Sequence, residues 1–360
     1  MTIWPSTKIT RLLKIKLPII QAPMAGGATT PELVAAVSNT GGLGSLAAGY
    51  MHADAIRQAI IKIRQLTDKP FAVNLFINEE VKVTQVEIQK AWSDVIKSCN
   101  ELIQGASMIL PQPPYVPLFE EQMKVIIEEK VPIFSFTFGI PSKKWLQELK
   151  TKNVKLIGTA TSLQEAVLLE KSDIDIIVAQ GSEAGGHRGT FVGKAEDALI
   201  GINSLVPCLV DNLNVPIVAA GGIMDARGIV SSLILGAQGV QMGTAFLTCP
   251  ESGIHPAFKK LLLQTKDDST VLTKAFSGKL ARGIRNKFIY RMKSNCKNIL
   301  PYPIQHAITS PMRKLAMNQN CVDFMSMWAG QSASLSKGLP ATQLIAELAI
   351  NVEKLLNISL

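Results

Sequence analysis

His187 is the side chain best placed to do chemistry, because it lies in a run of small and polar residues, Gln180-Gly181-Ser182-Glu183-Ala184-Gly185-Gly186-His187-Arg188-Gly189. An imidazole titrates near neutral pH, so it can move a proton or hydrogen-bond an anion. With Gly185, Gly186 and Gly189 around it, little side-chain bulk separates this backbone from a ligand. A lone histidine is ordinarily a surface loop residue; its place at the mouth of an apolar strand argues for a site. Glu183 and Arg188 read either as surface charges or as partners behind the site. Two further glycine turns follow apolar runs, Ala219-Ala220-Gly221-Gly222-Ile223 and Gln241-Met242-Gly243-Thr244. Glycine lets backbone N–H groups approach a phosphate, and a following helix N-terminus adds a favourable dipole. One such pair is as readily a tight turn, but two on consecutive strands favour a phosphate site. Asn74 and Gln180 are amides on otherwise apolar runs. Buried amides require partners, which either a planar heterocycle or a core contact can supply.

The elements that must position these groups are short apolar runs separated by helical patterns. Strands are expected over 17–22, 42–47, 71–76, 133–138, 155–159, 174–180, 217–221 and 240–243. Helix-like stretches cover 52–66, 118–130, 142–152, 162–171 and 225–235, with Thr30, Ser162 and Asp225 as N-caps. Strands apolar on both faces and alternating with helices form a parallel sheet covered by helices. Eight such units close a (β/α)8 TIM barrel of roughly 250 residues, with the site at the C-terminal strand ends. A doubly wound open sheet would place its glycine fingerprint after the first strand. Here that strand runs into Pro23-Met24-Ala25-Gly26-Gly27, which is not GxGxxG. The expected organisation is an α/β barrel over 1–253 and a mainly helical substrate-binding insert over 254–330. A C-terminal helix within 331–360 then packs back on the barrel. No clear strand is legible in the insert, and Pro111-Gln112-Pro113-Pro114 marks a surface excursion.

Bulk composition narrows the function classes. The 360 residues are 47% hydrophobic and 18% charged, which supports a large core and argues against disorder. A net charge of +9 suits anionic ligands as readily as nucleic acid. Five scattered cysteines without a CxxC pair, and four dispersed histidines without HExxH, support neither a disulfide framework nor a metal site. They fit a reducing, cytoplasmic compartment. Lys8, Arg11, Lys14 and Lys16 precede only a short apolar run, 17–20, whereas a secretory leader needs a longer one. This segment reads as a surface lead-in to a buried strand. No run approaches the roughly 20 apolar residues of a membrane span. The basic stretch 279–297 contains no acid, but it has little aromatic interleaving and matches no nucleic-acid module. It reads as a solvated face that in part serves an anionic substrate.

With these residues assembled, the chain closely resembles the class I nitronate monooxygenases. The likeness rests on QAPMAGG at 21–27, NTGGLGSLAAGY at 39–50, FAVNLF at 71–76 and TFGIP at 137–141. It continues through QGSEAGGHRGT at 180–190, AAGGIM at 219–224, GVQMGTAF at 239–246, FSGKLARGIRN at 276–286 and MWAGQ at 327–331. The resemblance spans nearly the whole chain. It implies FMN as cofactor, held by Pro23, Met24, Ala25, Asn74, Gln180, Gly185, Gly221, Gly222, Gln241, Met242, Gly243 and Thr244. It implies oxidation of alkyl nitronates, notably propionate 3-nitronate, by O2 without NAD(P)H. Electrons would pass one at a time through the flavin, yielding a carbonyl compound with nitrite or nitrate. His187 matches the family histidine, a base toward neutral nitroalkanes or a partner for the nitro group of the anion. The implied partners are a small anionic nitronate and O2, with no metal, nucleic acid or membrane; a homodimer is left open. The nearest rival is an FMN-dependent enoyl-acyl-carrier-protein reductase consuming NAD(P)H, which shares the phosphate turns and the EAGGH loop. A barrel with a cysteine nucleophile would need a thiol in the loop after the sixth strand, and Cys208 lies well beyond it.

Overall fold

The computed structural model describes residues 4–103, 108–294 and 296–358. Its parallel strands are β1 (Ile19–Gln21), β2 (Gly44–Ala47), β3 (Phe71–Phe76), β4 (Ile133–Thr137), β5 (Lys155–Ala160) and β6 (Ile176–Gln180). The two-residue β7 (Gly186–His187) follows, then β8 (Ile217–Ala220) and β9 (Gly239–Met242). Eight of these pair in the order β1-β9-β8-β6-β5-β4-β3-β2. A parallel bridge between Ile20 and Leu43 joins the two ends. The fold is therefore the expected (β/α)8 barrel, with the strand ends trimmed.

Burial explains why these runs become strands. Every residue of β3 is buried, as in a sheet covered on both faces. Ile20, Leu43, Ala72, Ile133, Ile157, Ile176, Val178 and Val218 fill the barrel interior. The N-terminal segment is not a surface lead-in. Helix Lys8–Leu13, closed by a Thr7/Thr10 capping box, drives Ile9 and Leu13 into the bottom of the barrel. Its two buried apolar positions lie four residues apart, so one helical face is apolar although the segment as a whole is basic. Outside the barrel, Thr30, Ser162 and Asp225 cap helices Pro31–Asn39, Leu163–Lys171 and Ala226–Ile234. Helix Ala341–Ile358 lays Leu344, Ile345, Leu348 and Val352 onto the first and last of these.

The region above the barrel departs from the strandless reading. Strands β10 (Thr270–Thr273) and β11 (Ala281–Ile284) form an antiparallel pair, and β11 also pairs with β7, placing Ala281 opposite His187. These runs are short, and β11 contains Arg282 and Gly283. β10, Thr-Val-Leu-Thr, carries strand propensity of its own, whereas β11 takes its strand character from its partners β10 and the distant β7. The basic stretch 279–297 therefore runs through β11 into the short helix Lys287–Met292. Helices Pro256–Leu262 and Ile304–Asn318 complete the 254–330 region. A second core gathers Phe258, Phe276, Phe288, Ile304 and Ile308 with Ile88 and Val95. The last two belong to helix Gln85–Ser98, between β3 and β4, so two separate chain segments build this layer. Among the described residues no helix is long and apolar enough to cross a membrane, and no group of His, Cys, Asp and Glu could hold a metal ion.

Candidate active site

A cavity of about 290 Å³ opens at the C-terminal ends of the barrel strands, beneath the second core. Ile157, Val178 and Ala220 belong both to the barrel interior and to its wall, so it begins where the barrel packing stops. Pro23, Met24, Ala25, Asn74, Gln180, Gly185, His187, Gly221, Gly222, Gln241, Gly243 and Thr244 all line it. Met242 does not: its side chain is buried in the core between strands and helices. The alternation along β9 turns Gln241 toward the cavity and Met242 away.

The glycine positions have distinct physical reasons. Gly221 and Gly222 adopt φ of +125° and +68°, in the half of conformational space that side chains disfavour. A Cβ on Gly222 would lie 3.1 Å from Glu183 Cβ and 3.4 Å from Ser332 Oγ. A Cβ on Gly185 would lie 2.5 Å from backbone atoms of both Ala329 and Gly330. The MWAGQ segment thus passes directly over the histidine loop. Its Gly330 N–H donates to Thr244 Oγ1 at 2.9 Å, and Gln331 N–H donates to the Glu183 carbonyl at 2.9 Å. The dipole argument is narrower than the sequence suggests. The helix after β8 is capped by Asp225, whose carboxylate accepts from Arg227 N–H at 2.9 Å. That N-terminus already holds an anion, which leaves the glycine backbone itself and the short turn Thr244–Leu247 to face a phosphate.

His187 is fixed from two sides. Its backbone is held between β11 and the Gln180 side chain, whose Nε2 donates to the His187 carbonyl at 3.0 Å. The Gln180 Oε1 accepts from Gly189 N–H at 2.7 Å. Both polar atoms of Gln180 are therefore engaged by protein, and this amide shapes the loop. Asn74 differs: its Nδ2 donates to Ser135 Oγ at 3.0 Å, and its Oδ1 has no donor among the described residues. The imidazole Nε2 lies 2.8 Å from Ser277 Oγ. That hydroxyl donates to the Lys279 carbonyl at 3.1 Å, so its lone pair receives the Nε2 proton. Nδ1 is then the free lone pair of a ring that lines the cavity. Phe138, Trp328 and Tyr302 surround the ring at centroid distances of 5.9, 5.3 and 6.2 Å. Burial, reinforced by the positive charges of Lys279 and Arg313, holds the His187 pKa down to about 3. The side chain is neutral at physiological pH.

Arg188 and Glu183 prove to be loop builders rather than surface charges. The Arg188 side chain is fully buried and donates to the carbonyls of Gly181, Gln180 and Ala198. Glu183 accepts from Ile202 N–H at 3.0 Å.

Sequence reasoning missed the upper wall. Tyr50 stacks on His306 at 4.2 Å, and the hydroxyls of Tyr50 and Tyr302 are buried without a well-formed hydrogen bond. Arg313 also lines the cavity, its Nη2 donating to the His306 carbonyl at 2.8 Å. Burial lowers the His306 pKa well below its usual value, with Arg313 and His187 adding to the effect. No carboxylate lines the cavity among the described residues. One signal was available, since helix Ile304–Asn318 contains no acid to neutralise Arg313.

Comparison with known proteins agrees with this geometry. A family model described as nitronate monooxygenase matches residues 6–351. A probable nitronate monooxygenase of Staphylococcus saprophyticus is 45% identical over 356 residues, covering 98% of this chain and 99% of that protein. One from Staphylococcus aureus strain Newman is 45% identical over 361 residues, with 98% and 99% coverage. Among solved structures, nitroalkane oxidase from Streptomyces ansochromogenes superposes with a TM-score of 0.90 at 35% identity, covering 98% of this chain and 99% of that one. FabK from Thermotoga maritima gives a TM-score of 0.78 at 32% identity, with coverage of 98% and 97%.

Proposed function

The chain belongs to the nitronate monooxygenase family, and from that premise we propose that it binds FMN and oxidises alkyl nitronates, notably propionate 3-nitronate, with O2. The observation that carries this reading is the cavity's charge: a neutral histidine and an arginine, with no carboxylate among the described residues of the wall. Such a site favours a small anion over a cation or an acid-stabilised intermediate.

The residues fit the cofactor. The positive-φ turn at Gly221–Gly222 and the Gly243–Thr244 turn leave backbone open for a phosphate, and Asn74 presents an unengaged amide oxygen to a heterocycle. Pro23, Met24, Ala25, Gly185 and Gln241 would flank it. FMN, when bound, supplies one-electron transfer between nitronate and oxygen, which gives a carbonyl compound with nitrite or nitrate and requires no NAD(P)H. Nδ1 of His187 takes a proton from a neutral nitroalkane; toward a nitronate it need only hold the nitro group. Trp328, Phe138 and Tyr302 exclude water around that nitrogen. The five free cysteines and the small-molecule chemistry support a cytoplasmic enzyme of detoxification.

The second reading, an enoyl-acyl-carrier-protein reductase consuming NAD(P)H, is favoured by the Glu183–His187 loop. One experiment separates the two. Purified yellow protein is mixed anaerobically with NADH or NADPH, then with propionate 3-nitronate. The nitronate should bleach the flavin and the nicotinamides should not; rapid bleaching by nicotinamide alone would overturn the assignment.

A further inference from the structure

A second cavity, of about 510 Å³, lies beside the reacting one, and among the described residues Tyr50 and His306 alone line both. Helix Ile304–Asn318 stands between the two. His306, Arg313 and Met317 line the reacting cavity, while Ala307, Ser310, Pro311 and Lys314 line the outer one. Each set follows the spacing that keeps side chains on one helical face. His306 therefore sits on the edge where the two faces meet.

This partition is a fixed wall. The Tyr50 and His306 rings stack at 4.2 Å with 14° between their planes. Gln122 Nε2 donates to the carbonyls of Ala48 and Met51, at 3.2 and 2.8 Å, which pins the backbone on both sides of Tyr50. The Phe76 ring meets Tyr50 edge-on at 5.2 Å and fills the space that a side chain at position 49 would need. Across the stack, Arg313 Nη2 and Thr309 Oγ1 hold the His306 carbonyl at 2.8 and 3.3 Å. Behind the partition the wall is mostly apolar, built from Pro111, Tyr115, Pro117, Pro311 and Leu315. Lys314 is the one charged residue there among the described ones, and it is exposed, so its charge stays in water. An apolar chain gains by moving from water into such a space. The reacting cavity, about 290 Å³, must also take the cofactor proposed above, which leaves little length for a tail on its own side.

We propose that Tyr50 and His306 set the length of uncharged substrate tail that this enzyme accepts. Their stack ends the reacting cavity, and the outer chamber is shaped for a hydrocarbon chain that can enter only when the stack is opened. The proposal rests on the nitronate reading above. Each methylene moved from water into the chamber is worth about a three- to fourfold gain.

The test uses the flavin-loaded enzyme and two nitronates that differ only in tail length, propyl 1-nitronate and octyl 1-nitronate. In wild type the octyl substrate should have the lower kcat/KM. His306→Ala removes one ring of the stack and should raise the octyl-to-propyl ratio roughly 30-fold or more, as three or more methylenes cross the boundary. His306→Phe keeps a ring there and should keep the wild-type ratio. Ser310→Trp fills the outer chamber from a position that does not line the reacting cavity. Alone it should leave propyl 1-nitronate turnover unchanged, and added to His306→Ala it should cancel the octyl gain. Tyr50→Ala opens the stack from its other side and gives the same reading if His306→Ala does not retain flavin. A second readout needs no turnover: 1-octanol, titrated against the absorbance of the bound flavin, should perturb it in His306→Ala and not in wild type or the double variant. The proposal is overturned if wild type oxidises both nitronates equally well, or if neither opened variant gains on the octyl substrate. A gain that survives Ser310→Trp would put the tail elsewhere and also overturn it. If no form oxidises either nitronate yet 1-octanol separates the variants as expected, the nitronate reading falls and the partition stands.

Discussion

At the residue scale, His187 is a base whose strength is set by its surroundings. Burial first, then Lys279 and Arg313, keep it neutral, and Ser277 holds the proton on Nε2. A neutral imidazole with a free Nδ1 can accept a proton. A nitronate arrives already ionised and needs no such transfer, and its charge would favour the protonated ring that burial disfavours. The two substrate classes should therefore separate on one variant. His187→Asn should lower turnover of neutral nitroalkanes by about 10²–10⁴-fold, the usual worth of a positioned base. Nitronate turnover should fall much less. Steady-state rates on nitroethane and ethyl nitronate check this, and an equal loss on both would refute the divided role.

At the element scale, the site is a junction of three strand ends and one strap. The turns after β8 and β9 and the loop carrying β7 converge, and residues 329–330 cross above them close enough that Gly185 cannot carry a Cβ. Gly222 has more room, but its φ of +68° and the 3.1 Å approach to Glu183 Cβ both oppose a branched side chain. Gly222→Val should therefore fold, shift this turn and purify with little flavin. The ratio of flavin to protein absorbance, alongside far-UV circular dichroism, reads the two effects separately. A fully yellow Gly222→Val protein would move the phosphate elsewhere.

At the scale of the whole molecule, two features tie stability to the distant parts of the chain. Helix Ala341–Ile358 closes the barrel's outer layer through fully buried Ile345. Ile345→Ala should destabilise the protein by about 2–5 kcal/mol, measured by denaturant unfolding. The two cavity histidines give the fold a pH dependence whose sign follows from their lowered pKa values. His187 has its ordinary pKa of 6.5 when unfolded and about 3 when folded, so the unfolded chain binds the proton first. The stabilisation is complete above pH 6.5 and drains away as pH falls toward 3, at up to about 1.4 kcal/mol per pH unit for each such group. His306 is shifted in the same direction. Unfolding midpoints measured between pH 7 and pH 4 should fall with acidity, and His187→Gln should flatten that slope.

The barrel was legible because each strand must be apolar on both faces, a pattern that β3 shows at every residue but Asn74. The glycine turns and His187 were legible because their chemistry is local: small residues beside a strand end expose backbone whatever the rest of the chain does. Two things lay beyond local pattern. The pairing of β11 with β7 depends on a partner about a hundred residues away, so no propensity within 281–284 announces it. The roles of Gln180 and Arg313 follow from which atoms lie within hydrogen-bond reach. Gln180 is spent on its own loop, and Arg313 is left without an acid inside the cavity. Periodicity, capping and turn chemistry are carried by neighbours along the chain, and the sequence by itself determined them. Charge pairing and cavity lining are carried by neighbours in space, and only the tertiary structure decided those.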